Sequence, residues 1–170
     1  MPNTKKSGLI PAKILVPVDF SASSHTALEQ AAAYARQFNA EIHLVHVIPT
    51  FPSTRVYDFI PETEFIEKTT QKAEASFAAT AKDLGAMGIK VSSSVRVAGD
   101  VVAAIVEEIK RQRIGLLVVS SHGTTGWHPL TFGSTAEKLV KLAGVPVLLI
   151  RTPDPTKKAK ARTGWLKKRW

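Results

Sequence analysis

The chain has 170 residues, 44% of them hydrophobic, the length and apolar content of one packed domain. No apolar run approaches membrane-spanning length, and the absence of cysteine excludes disulfides and thiolate metal sites. The formal charge of +9 is unevenly placed: residues 151–170 hold eight basic side chains against Asp154, or +7, leaving +2 for residues 1–150. The basic character therefore belongs to the tail, and the core is not read as a nucleic-acid-binding face. The opening MPNTKKSGLIPAK has no long apolar stretch and no small-residue cleavage site, so a cytoplasmic chain is expected.

KILVPV at 13–18 reads as a short strand with Asp19 at its carboxyl end. Ser21, Ser23 and Ser24 offer cap oxygens to a helix carrying Ala27, Leu28, Ala31, Ala32, Tyr34, Ala35 and Phe38. Thr26 and Glu29 also have capping-box spacing, and Asn39 is the stop. EIHLVHV at 41–47 is the second strand, and the proline-bearing stretch 49–61 is an excursion. A helix follows from Glu62 to about Leu84, ended by Gly85 and Gly88, and then a strand over 90–97. Gly99-Asp100 start a helix whose apolar residues include Val102, Ile105, Val106 and Ile109. A strand at 114–119, a helix from Ser134 stopped by Gly144, and a strand at 145–150 complete the domain. Strands alternating with helices predict a parallel sheet covered on both faces.

Residues 114–135, IGLLVVSSHGTTGWHPLTFGST, concentrate the functional signal. An apolar strand runs into Ser120, Ser121 and Gly123, and Gly133-Ser134-Thr135 then open a serine-capped helix. Helix N-termini leave backbone N–H groups unpaired, and glycine lets backbone approach an anion, so the stretch reads as a phosphate cradle. Plain turn chemistry uses the same residues. The pattern is neither a Walker A loop nor GxGxxG. In parallel sheets ligands bind beyond the carboxyl ends of the strands, where Asp19, His46-Val47, Ala98-Gly99 and Ser120–Gly123 all fall.

Five histidines (His25, His43, His46, His122, His128) carry no metal-binding spacing, and His43 and His46 point to opposite faces of one strand. No carboxylate partner pattern accompanies them. Neither a serine–histidine–acid set in a recognisable context nor paired carboxylates near the glycines point to catalysis.

Taken together, KILVPVDFS at 13–21, HLVHVIP at 43–49, and LVVSSHGTTG with FGSTAEKLVKLAGVPVLLIR over 117–151 resemble the universal stress protein family. The similarity covers roughly residues 12–151, with residues 1–11 an N-terminal extension and 152–170 a basic tail. The motif of the family's ATP-binding branch is G-x2-G-x9-G-[ST], which falls here on Ser120, Gly123, Gly133 and Ser134. Ser120 departs from it by standing in place of the first glycine.

The resemblance implies a single-domain, five-stranded, doubly wound parallel sheet, Rossmann-like, in the order 3-2-1-4-5. It implies ATP as ligand, with Mg²⁺ or Mn²⁺ bridging phosphate oxygens. Pro17, Val18 and Asp19 would lie near the nucleotide, Val47 would contact adenine, and Val119 and Ser120 would flank base and ribose. Gly123, Gly133 and Ser134 would cradle the phosphates, through backbone N–H groups and the Ser134 hydroxyl, with Thr135 at the helix start. The resemblance also implies a homodimer through the last strand, 145–150, and an unknown protein partner. The expected function is a mainly non-catalytic, nucleotide-dependent stress or signalling module. The alternatives are an interaction module of the same fold without nucleotide, and a low-turnover ATPase or self-phosphorylating protein. The tail, RTPDPTKKAKARTGWLKKRW, mixes basic residues with Trp165 and Trp170, which suits an anionic membrane, nucleic acid or a solubilising terminus.

Overall fold

The computed structural model describes residues 10–50, 62–121 and 133–151. In chain order these form β1 (Lys13–Pro17), α1 (Ala22–Phe38), β2 (Glu41–Pro49), α2 (Glu62–Gly85) and β3 (Val91–Ala98). They continue with α3 (Val101–Arg111), β4 (Leu116–Ser120), α4 (Ser134–Leu142) and β5 (Val147–Ile150). The sheet is five-stranded, in the order β3-β2-β1-β4-β5, and every pairing is parallel, as expected.

The inner strands carry apolar residues on both faces because each face carries helices, with His43 and His46 of β2 among the polar exceptions. Alternation sends Ile14, Val16, Ile42, Leu44 and Val118 to one side, where they pack with Leu28 and Ala31 of α1 and Phe77 and Leu84 of α2. Leu15, Val45, Val47, Leu117 and Val119 face the other side, against Ile105 and Ile109 of α3 and Leu139 of α4. Burying a Leu or Phe fully contributes roughly 2–3 kcal/mol, and Leu15, Leu28, Leu44, Phe77, Leu117 and Leu139 are all at or near zero exposure.

The helix ends resolve several expectations. Among the serines before α1, Ser21 is the N-cap: its Oγ accepts from the Ser24 N–H at 3.1 Å. Thr26 does not cap; its hydroxyl donates to the Ala22 carbonyl one turn back. Asn39 closes α1 in the left-handed region at φ 52°, a conformation its short amide side chain tolerates. Asp100 caps α3, accepting from the N–H groups of Val102 and Ala103 at 2.8 and 3.0 Å.

α4 differs from the expected serine cap. Its N-cap is Gly133, with φ −59° and ψ 141°, and no side chain caps it; Ser134 is the first helical residue. The strand expected at 114–119 starts two residues later, because Arg113 takes φ 53° and Gly115 passes against Pro11. A Cβ on Gly115 would lie 3.1 Å from the Pro11 Cα, so glycine is needed there for close approach. β5 likewise is shorter than 145–150, with Pro146 contributing its carbonyl to the Leu117 N–H instead.

Candidate functional site

Strand order reverses between β1 and β4, so their carboxyl ends diverge and leave a crevice. A cavity of about 370 Å³ occupies that crevice. Its walls include Pro17, Val18 and Asp19 leaving β1, Val45 to Val47 of β2, Val119 and Ser120 ending β4, and Gly133 to Ala136 opening α4. Of the expected site residues, Pro17, Val18, Asp19, Val47, Val119, Ser120, Gly133, Ser134 and Thr135 line this one space. Gly123, like His122 and His128, lies outside the described residues.

Other lining residues were not anticipated: Ser24, Pro49, Val101, Ile105, Ala136 and Leu139. Val101 and Ile105 arrive from α3, which starts just past the carboxyl end of β3. That position was a usable signal, since the crevice collects the residues that leave each strand end. They add apolar residues to the cavity wall. Its polar lining residues include Asp19, Ser120, Ser134 and Thr135. A second recess of about 290 Å³ shares Val101, Ser134 and Thr135 with the first and adds Asp100 and Lys138.

Local hydrogen bonds set the two ends of this site. The N–H of Val18 donates to the Val45 carbonyl at 2.8 Å, prolonging the β1–β2 pairing beyond Pro17. The chain then turns sharply, with Phe20 at φ 62°. Such a conformation in a bulky residue costs on the order of 1–3 kcal/mol and persists only where its surroundings enforce it. The Asp19 carboxylate accepts from both the N–H and the hydroxyl of Ser21, at 3.0 and 2.5 Å. It thereby orients the residue that caps α1.

At the other end, the Gly133 N–H donates to the Ser121 carbonyl at 2.8 Å, and the Ser121 N–H donates to the Ile150 carbonyl at 2.8 Å. The Gly133 amide is thus engaged by the carbonyl of Ser121, the residue just past β4. The intrahelical ladder of α4 begins with Glu137 N–H to Gly133 carbonyl. The amides of Ser134, Thr135 and Ala136 therefore have no acceptor within the helix, and they stand at its positive end on the cavity wall.

Away from the cavity, His43 has a carboxylate partner that spacing alone did not reveal. Its Nε2 lies 2.8 Å from Oε1 of Glu108, on α3, and its Nδ1 lies 2.8 Å from the Ser92 hydroxyl. A carboxylate only accepts, so Nε2 carries the proton and Nδ1 accepts from Ser92. Among the described residues no group of three His, Cys, Asp or Glu side chains is placed to hold a metal ion.

A parallel, doubly wound α/β domain with a ligand-sized cavity at the reversal of strand order defines the class. The chain belongs to the universal stress protein family, whose sequence model matches residues 12–151. It is 28% identical over 145 residues to universal stress protein YxiE of Bacillus subtilis, spanning 82% of this chain and 98% of that protein. Among solved structures, MJ0577 of Methanocaldococcus jannaschii superposes with a TM-score of 0.72 at 29% identity, over 84% of this chain and 96% of that one. UspA from Lactobacillus plantarum superposes with a TM-score of 0.73 at 23% identity, over 82% and 97%, a likeness of fold. Among the described residues no helix is long and apolar enough to cross a membrane.

Proposed function

We propose that this chain is an ATP-binding universal stress protein, a cytoplasmic signalling module whose nucleotide acts mainly as a ligand that biases conformation and partner choice. The observation that carries the reading is the cavity itself. It brings apolar and polar lining residues together at the start of a helix that no side chain caps.

Each part of ATP has a matching wall. The β1–β2 register ends at Pro17↔Val45, and Val45 turns its carbonyl toward β1. Backbone orientation repeats every second residue, so Val47 presents its N–H and carbonyl in the same direction, past the end of β1. That donor–acceptor pair matches the N1 acceptor and N6 donor of adenine, with Val101 and Ile105 beside the ring. Phosphate oxygens suit the amides of Ser134, Thr135 and Ala136 and the Ser134 hydroxyl. Lys138 in the adjoining recess supplies a cation for the outer phosphates. Mg²⁺ or Mn²⁺ would be held chiefly by those phosphates, with Asp19 the carboxylate on the cavity wall. Ser120 lines the cavity without filling it, so its replacement of glycine is compatible with a nucleotide. A universal stress protein from Archaeoglobus fulgidus has been solved with dAMP and another with cAMP; at 22% and 21% identity these likenesses are of fold.

The dimer is assigned to β5. It ends the sheet, pairs only with β4 among the described strands, and carries the half-buried apolar sequence Val147–Ile150. An apolar edge of this kind is completed by a second strand. The tail 152–170, outside the described residues, holds seven basic side chains against Asp154, or +6, and is assigned the contact with an anionic partner.

Calorimetric titration of ATP with Mg²⁺ into protein stripped of nucleotide tests the reading. The wild type is expected to bind in the micromolar range. Gly133→Val should weaken binding more than tenfold without unfolding the chain, since the backbone angles of Gly133 are open to any residue. A folded protein that takes up no ATP would leave an interaction module of the same fold.

A further inference from the structure

We infer that His46 is a positioning residue for Asp19: it fixes the exit of β1 so that the Asp19 carboxylate faces the cavity. The inference rests on the nucleotide reading above and adds a residue that does not itself have to touch the ligand.

Three contacts converge on the residues either side of Asp19. The Val18 N–H is held by the Val45 carbonyl, and the Val18 carbonyl accepts from His46 Nδ1 at 2.7 Å. A carbonyl cannot donate, so Nδ1 carries the proton and the tautomer is set by this bond. Beyond Asp19, the Phe20 ring stands 4.7 Å from the His46 ring and 6.0 Å from the Phe77 ring. Phe20 is also the residue with φ 62°, a conformation for which no glycine has been supplied. A strained aromatic residue at a strand exit is kept only where neighbours over-determine it, and such residues cluster at ligand clamps. Here one imidazole does both tasks, through a hydrogen bond before Asp19 and a ring contact after it. His46 also directly precedes Val47, so the strand segment assigned to the base and the turn carrying the carboxylate share one anchor.

The arrangement makes the reach of the donor decisive. The amide nitrogen of Asn stands where Nδ1 of histidine stands, whereas that of Gln extends toward the Nε2 position. His46→Asn is therefore expected to keep the Val18 bond, while His46→Gln and His46→Phe lose it.

The test titrates ATP with Mg²⁺ into wild type, these three variants, Asp19→Asn, and Asp19→Asn combined with His46→Gln, with thermal unfolding recorded for each. The expected result is that His46→Gln and His46→Phe bind about tenfold more weakly, His46→Asn stays within about threefold of wild type, and His46→Gln changes affinity less than about twofold once Asp19 is Asn. A merely structural histidine would give losses that follow the melting temperature and add to that of Asp19→Asn, which would overturn the inference. Wild-type binding with unchanged affinity in His46→Gln would overturn it alone. Failure of the wild type to bind ATP would remove the nucleotide reading and this inference with it.

Discussion

Glu108→Ala is expected to lower folding stability by about 3–5 kcal/mol, a large share of the total for a domain of this size. Glu108 is fully buried on α3, and its carboxylate accepts from His43, Ser94, Arg111 and Gln112 at 2.7–3.1 Å. Arg96 adds a more distant cation at 3.6 Å. Truncation would leave the buried His43 Nε2–H without its acceptor and open a void between α3 and the β2–β3 ladder. Arg111 is half exposed and can return to water, so the cost concentrates on His43 and the void. Urea unfolding measures the loss. If the carboxylate matters as the partner of His43, replacing both by apolar residues, as His43→Phe with Glu108→Leu, should recover much of it.

The same network sets an acid limit. Burial alone would raise the Glu108 pKa, but hydrogen bonds from Arg111, Ser94, His43 and Gln112 outweigh it and hold the group at about 2, against an ordinary 4.5. Its folded pKa is depressed, so its contribution is complete above pH 4.5 and is lost as pH falls toward 2. That contribution is on the order of 3 kcal/mol. His43 is also lowered from 6.5, first by loss of hydration, so on acidification the unfolded chain takes up this proton before the fold does. Burial outweighs the pull of Glu108, whose charge Arg111 already balances. Stability should therefore begin to fall below pH 6.5 and fall more steeply below 4.5. In Glu108→Gln the lower part of that slope should flatten, and urea midpoints from pH 7 down to 3 would detect it.

Much of the fold was legible because each element carries its own local signal. Short apolar runs made the strands, and Asp100, Asn39 and Gly144 marked helix ends through chemistry confined to a few residues. Ser21 could not be separated from Ser23 and Ser24, because all three offer the same oxygen and only the path of the chain after Phe20 decides. Phe20 itself gave no warning, since glycine and asparagine are the usual signs of a left-handed turn. The candidates at strand ends were legible for a topological reason: parallel order sends every carboxyl end to one side. Leu139 was hidden in a helix whose rotation about its axis depends on packing. The His43–Glu108 pair joins residues 65 apart in sequence, and no spacing encodes that contact.

The proposed nucleotide site should prefer ATP to GTP by at least about thirtyfold, because backbone and not side chain would read the base. Val47 lies two residues beyond the last β1–β2 pair and would offer an N–H beside a carbonyl. Adenine meets these with N1 as acceptor and the 6-amino group as donor. Guanine reverses both, placing N1–H against the N–H and O6 against the carbonyl. Each mismatched polar group costs on the order of 1–3 kcal/mol, so two of them cost about 2–6 kcal/mol, which is about thirtyfold at the least. The apolar wall of Val101 and Ile105 admits no obvious compensation by water. ITP separates this explanation from steric exclusion, since hypoxanthine has the reversed edge of guanine without its 2-amino group. Competition titrations in which ITP is rejected as strongly as GTP would mean that the edge is read. ITP binding close to ATP, with GTP alone excluded, would place the selectivity in the space around C2, and Val47 would then be a wall and not a reader.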